Sequence, residues 1–244
     1  MFSGAGENSR LWSVLAASGS AAALAGCTGP FSALDPAGPA AHSIATLWWV
    51  MLAAGAALFT LVISLFSFAF LRRDSTGKPR RTVGKGFVLW GGLVMPTAVL
   101  TALLGYALFL GERLMPRAES GVLRVEARAR QWQWDFFYPD APNAPGTPDI
   151  LHIPAGQPVD IHVTSADVIH SFWVPRLGGK IDAIPGHTNI IRLFADRPGA
   201  YHGKCSEFCG TGHAVMGFAV EAHEAEDYPA RLAASRASAS QVSP

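Results

Sequence analysis

Two of the chain's three cysteines stand four residues apart in one dense run. Cys205-Ser206-Glu207-Phe208-Cys209-Gly210-Thr211-Gly212-His213-Ala214-Val215-Met216 gathers two thiols, an imidazole and a thioether within twelve residues. A further imidazole, His170, lies upstream in Ser165-Ala166-Asp167-Val168-Ile169-His170-Ser171. Soft thiolate, imidazole and a weak axial thioether are donors that favour copper. A disulfide between Cys205 and Cys209 is the competing possibility in an oxidising compartment. A mononuclear blue-copper site needs a single Cys, so two Cys suggest two metals sharing two bridging sulfurs. Each ion then takes one imidazole and one weak donor, and the supply balances: His170 and His213, Met216, and a backbone carbonyl in the Cys-to-Cys loop. A dinuclear centre can spread one unpaired electron over both ions, so bond lengths change little on reduction. The chemistry expected is a fast one-electron relay, and the absence of an open position for substrate argues against catalysis at the site itself.

Short alternating segments must position these groups. From about Ala118 onward, Val122 to Arg128 alternates in part and Val159 to Thr164 strictly, and Asn189 to Phe194 and Met216 to Glu221 follow the same pattern. Turn signals separate them at Pro142 to Pro148, Ala155-Gly156, Pro185-Gly186 and Pro198-Gly199. Several short strands with regular breaks predict an antiparallel sandwich or barrel. Gln131 to Tyr138 packs five aromatics into eight residues, which reads as sandwich core and partner packing. His152 and His162 are expected as surface or satisfied core groups, and His187 and His202 as structural groups near turns. The tail after Glu224 is rich in Ala and Ser and is expected to be a frayed helix or disordered.

The rest of the chain is apolar. Only 15% of the residues are charged, against about 25% in soluble domains. Disorder is excluded, because a disordered chain is polar and charged. A net charge of +1 disfavours nucleic acid as a partner. Ile44 to Leu71 and Gly86 to Gly111 are runs of 28 and 26 residues without a charge. A bilayer core about 30 Å thick needs about 20 helical residues, so each run can span it. The loop at 72–85 carries six Lys or Arg against a single Asp74, which marks the cytoplasmic side. The two spans therefore form a hairpin with both chain ends outside. Trp48, Trp49 and Trp90 fall at interfacial positions, and Pro96 interrupts the second span. At the N-terminus, Arg10 precedes an uncharged stretch from Leu11 to Ala25, too short to span but suited to a signal-peptide core.

Three motifs are specific enough to carry a resemblance: Ser165 to Phe172, Lys180 to Gly186, and Cys205 to Met216. Over roughly residues 40–225 the chain resembles subunit II of haem–copper cytochrome c oxidase, in a bacterial lipoprotein form. Leu24-Ala25-Gly26-Cys27 resembles a lipobox, after which Cys27 becomes the lipid-bearing N-terminus. The resemblance implies a two-helix transmembrane hairpin followed by a cupredoxin-like antiparallel β-sandwich. It divides the chain into a signal peptide at 1–26, an external segment at 27–43, a hairpin at 44–111, a copper domain at 118–225 and a tail at 226–244. It implies that His170, Cys205, Glu207, Cys209, His213 and Met216 bind the dinuclear copper centre CuA, Glu207 through its backbone carbonyl. The Glu207 carboxylate would reach a magnesium ion at the contact with subunit I. Trp132 would be the exposed residue that receives the electron from cytochrome c. The electron would then pass to CuA and on to haem in subunit I by way of His213, with oxygen reduction and proton pumping in subunit I. The location implied is the bacterial plasma membrane, with the copper domain on the outer face.

Residues 118–244 hold 14 Asp or Glu against 10 Lys or Arg, a net of −4. Asp135, Asp140 and Asp167 could form an acidic collar that steers a basic cytochrome c. No Cys-x-x-Cys-His haem-attachment motif is present, so the cytochrome is expected to be a separate protein. One departure from the family's pattern is Leu89, where many relatives carry a Glu at the mouth of a proton pathway; that role is not carried over. Two alternatives compete. Subunit II of a quinol oxidase shares the fold but lacks the copper ligands. A membrane-anchored copper chaperone can carry Cys-x3-Cys and a distant His, but usually on a thioredoxin-like pattern with one span.

Overall fold

The structure is a computed structural model that describes residues 27–71, 84–117, 119–139 and 146–242. The expected signal peptide, most of the lipobox, most of the basic loop and Asp140 lie outside these residues.

Two long helices come first. α1 spans Pro39–Leu71 and α2 spans Lys85–Leu114. At about 1.5 Å per residue both exceed the thickness of a bilayer core. Their side chains are apolar all round and exposed, as at Phe59, Phe66, Phe70, Leu100 and Leu108. That composition suits lipid and would be costly in water. Pro96 does not end the second helix. Proline lacks an N–H and its ring presses on the carbonyl four residues back, which here is Gly92. Gly92 lies in a widened π turn at Trp90–Val94, and the helix continues through it.

Among the described residues, the second body contains ten strands. They are β1 (Leu123–Arg130), β2 (Gln133–Phe137), β3 (Thr147–Pro148), β4 (Ile150–Pro154) and β5 (Val159–Ser165), then β6 (His170–Trp173), β7 (Lys180–Ala183), β8 (Asn189–Leu193), β9 (Gly199–Cys205) and β10 (Gly217–His223). They form two five-stranded sheets, ordered β3-β2-β1-β5-β8 and β4-β10-β9-β6-β7. The sheets are not purely antiparallel as expected. β1 pairs with β5 in parallel, as does β10 with β4, because each strand returns to its neighbour by a crossover rather than a hairpin. Alternation places the inner faces: Val125, Ala127 and Ala129 from β1 meet Val159, Ile161 and Val163 from β5, all fully buried.

An aromatic cluster joins the two sheets. Trp134 and Phe136 come from β2, Phe172 from β6 and Phe218 from β10. Phe218 lies 4.8 Å from Phe172 and 5.5 Å from both Trp134 and Phe136, centroid to centroid. Gly203 on β9 is required there, because a Cβ would collide with the Phe218 ring. The Ala/Ser-rich tail folds as α3 (Tyr228–Val242), with Leu232 buried against the domain. The segment from Cys27 also packs on this body: Arg176 holds Asp35 at 3.0 Å, and Ala37 bonds backbone to backbone with Arg176 and Asp196. Removing the ring that links the sheets, by Phe218→Ala, should cost about 3–5 kcal/mol of stability. Denaturant unfolding of the purified chain measures this, and a loss under about 1 kcal/mol would mean that the cluster does not hold the sheets together.

Candidate metal centre

Two strand ends and one loop deliver the donors. His170 opens β6 and Cys205 closes β9, and these strands are neighbours in the same sheet. The Cys205 N–H donates to the Met216 carbonyl at 2.9 Å, and the Ser206 N–H to the Ser171 carbonyl at 3.0 Å. These bonds fix Cys205 between the His170 strand and the start of β10. Cys209, a tight turn and a single helical turn at His213–Val215 complete the loop before Met216. Gly210 has φ of +115°, a conformation that side chains disfavour.

The six groups expected as ligands converge. Cys205 Sγ lies 3.8 Å from Cys209 Sγ, 3.8 Å from His170 Nδ1 and 3.2 Å from the Glu207 carbonyl oxygen. Cys209 Sγ lies 3.6 Å from His213 Nδ1 and 3.7 Å from Met216 Sδ. A disulfide needs about 2.05 Å between sulfurs, so both thiols are free. His170, Cys205, Cys209 and Met216 are each at most 3% exposed. Burial, then hydrogen bonding and repulsion from Cys205, push the Cys209 thiol up to about 12. Without a cation, Cys209 is therefore a neutral thiol at pH 7; a metal would have to displace its proton. Two thiols, two imidazole nitrogens, a thioether and a carbonyl, gathered round two buried sulfurs, fit soft-metal chemistry.

The next layer of residues orients the donors. His170 Nε2 lies 2.9 Å from Asp167 Oδ1, which sets the ring so that Nδ1 faces Cys205. Burial acts to raise the Asp167 carboxyl. Bonds from the His170 ring and the Gln131 and Val168 N–H groups outweigh it and hold the carboxyl below its ordinary value. Trp132 is 40% exposed, and its Nε1–H donates to the Cys209 carbonyl at 3.2 Å. Gln131 Nε2 donates to the same oxygen at 2.8 Å. The indole lies flat on the loop, where a Cβ on Gly212 would overlap it. Trp134, buried on β2, meets the His170 ring edge-on at 6.3 Å.

The acidic collar is not a ring of free charges. Arg130 pairs with Asp135 at 2.8 Å, and Asp167 is turned inward to His170 and Gln131. Glu207 is exposed, and it is the lone acid of the Cys205–Met216 run. Leu89 lies on α2, exposed. Sequence reasoning did not join His152 to His223 and Glu221, which meet at the edge of the second sheet. The signal was a Glu-x-His pair on an alternating strand, but the partner strand arrives by a distant parallel pairing.

Comparison with known proteins gives the chain its relatives. The family described as cytochrome c oxidase subunit II, periplasmic domain, matches residues 146–223. The chain is 33% identical over 218 residues to cytochrome c oxidase subunit 2 of Alkalihalophilus pseudofirmus, covering 85% of this chain and 63% of that relative, less than two thirds of its length. It is 31% identical over 186 residues to the Lycodon semicarinatus subunit 2, covering 68% of this chain and 80% of that one. The solved periplasmic domain of subunit II from Bradyrhizobium japonicum is 30% identical with a TM-score of 0.46, over 50% of this chain and 97% of that one. With the copper-type donors gathered at one point and relatives matched along most of its length, the chain belongs to the cytochrome c oxidase subunit II family.

Proposed function

We propose that this chain is the electron-entry subunit of a haem–copper cytochrome c oxidase. It accepts electrons one at a time from reduced cytochrome c and serves subunit I, where oxygen is reduced to water and protons are translocated. The observation that carries this assignment is the pair of buried, unbonded sulfurs 3.8 Å apart, each flanked by its own imidazole Nδ1. Two copper ions would be held by Cys205 and Cys209 Sγ, His170 and His213 Nδ1, Met216 Sδ and the Glu207 carbonyl. When bound, that pair supplies one-electron redox chemistry.

The chain's own residues do the rest. Asp167 fixes the His170 ring, and buried Met216 and Trp134 keep water out. Trp132 is the surface aromatic tied to a ligand residue, through the Cys209 carbonyl, and is the proposed point of electron entry. Exposed Ile169, Phe208 and Val215 stand beside proposed ligand residues in the chain, with Val168 one position further, and offer apolar contact to a docking protein. The net −4 of residues 118–244 acts as a diffuse field on a basic partner rather than through a free collar. Glu207 supplies a single exposed oxygen donor, so a magnesium site there would need the rest of its ligands from another subunit.

The location proposed is the bacterial plasma membrane, with α1 and α2 spanning it and the β domain outside. Cys27 would be lipidated after removal of 1–26; what supports this is that the segment following Cys27 docks on the β domain.

Metal analysis with paramagnetic resonance on the purified chain tests the assignment. The expected result is two coppers per chain, a purple colour and a seven-line signal; one labile copper would overturn it in favour of a chaperone. Cys205→Ser or His213→Ala should abolish the colour and the rate with cytochrome c. Trp132→Ala should keep the colour and slow electron entry about tenfold or more, equivalent to ~1.4 kcal/mol in barrier; unchanged turnover would remove Trp132 from the entry route. Because Cys209 starts as a protonated thiol, apparent copper affinity should rise with pH, about tenfold per unit for each proton released. Competition titrations between about pH 6 and 8 measure the slope, and a flat profile would show that no thiol proton is displaced.

A further inference from the structure

A second set of ligand-type side chains meets where β4 borders β10, and none of its members belongs to the copper-type cluster. His152 on β4 stands directly opposite Glu221 on β10, and His223 follows two residues later on the same face. His152 Nδ1 lies 2.9 Å from His223 Nε2 and 3.5 Å from Glu221 Oε2, and His223 Nε2 lies 3.8 Å from the same oxygen. The other nitrogen of His152, Nε2, lies 2.9 Å from Ser235 Oγ on α3.

We propose that His152, Glu221 and His223 form a second metal site, which takes one divalent ion of the zinc class. Two imidazoles and one carboxylate, with a fourth position left for water, are a zinc donor set. Tetrahedral bonds of about 2.0–2.2 Å place the donor atoms roughly 3.3–3.6 Å apart, and the three distances seen here bracket that separation. The short edge is a hydrogen bond between two nearly parallel rings whose centroids lie 5.2 Å apart; to take an ion it opens by about half an ångström and the rings tilt until both nitrogens face the metal. Ser235 then accepts from His152 Nε2–H, so Nδ1 presents its lone pair to the ion, the arrangement that orients metal-bound histidines.

The surroundings permit such an ion. His152 is nearly sealed, while the Glu221 side chain is 44% exposed, so the ion enters from the Glu221 side. Burial lowers both imidazoles below their ordinary value, which leaves them neutral and able to ligate. Arg231 and Asp227 also act on His223, with opposite signs. The bound ion would tie β4, β10 and, through Ser235, α3 into one unit.

Zinc titration of the untagged full-length chain in detergent tests this, with copper content measured in parallel. The parent chain should bind one more Zn²⁺ than the His223→Gln variant, and its thermal midpoint should rise with zinc where that of the variant does not. Ser235→Ala should bind about tenfold more weakly. His223 lies at a strand end and is partly exposed, so His223→Gln should fold, and its copper content should equal that of the parent. Equal zinc uptake by the parent and His223→Gln would overturn the site, leaving a neutral hydrogen bond between the two rings.

Discussion

The domain is organised around a constraint that a folded chain seldom accepts: two thiols held side by side in a dry pocket without bonding to each other. Cys205 and Cys209 are four residues apart and could reach a disulfide if the loop were slack. Backbone bonds set where each cysteine stands. Cys205 is fastened on one side to Met216 and, through Ser206, on the other to Ser171, while Cys209 is carried off on a loop whose carbonyl is taken by Gln131 and Trp132. The sulfurs stop 3.8 Å apart. The pocket is buried, and burial holds the Cys209 thiol well above its ordinary value. The arrangement makes physical sense as a receptacle for positive charge.

That receptacle is continuous with the core. Trp134 touches the His170 ring on one side and the Phe172–Phe218 cluster on the other, so the packing that joins the sheets also braces a donor. Asp167 and Gln131 form a second brace at the surface and tie the His170 loop to the Trp132 turn. Rigid donors would suit the one-electron centre proposed for this site, because a site that does not rearrange loses little energy to reorganisation. The same economy explains why Gly212 lacks a side chain: the indole of Trp132 occupies that space.

Much of this was legible in the chain itself. The donor types and their spacing sit in one contiguous run, the two spans are uninterrupted by charge, and β5 alternates without error. Other parts were not. β4 is buried at four successive positions because α3 covers its outer side, so it lacks the alternation that would reveal a strand. The tail's Ala/Ser composition hides a helix whose place is set by Leu232 and Ser235 meeting a distant strand. Asp135 and Asp167 read as free acids until Arg130 and His170 are seen beside them.

By itself the sequence determined chemistry and solvent: which atoms can bind a soft metal, which stretches can lie in lipid, and which residues must turn inward on a strand. Those properties belong to side chains and their local period, and survive without knowledge of neighbours. The tertiary structure alone decided that β1 runs parallel to β5 and β4 to β10, that His170 comes within reach of Cys205 across 35 residues, and that His152 meets His223 across 71. Such meetings depend on how sheets close over a shared core, and that closure is a balance summed over every buried contact rather than a property of any one segment.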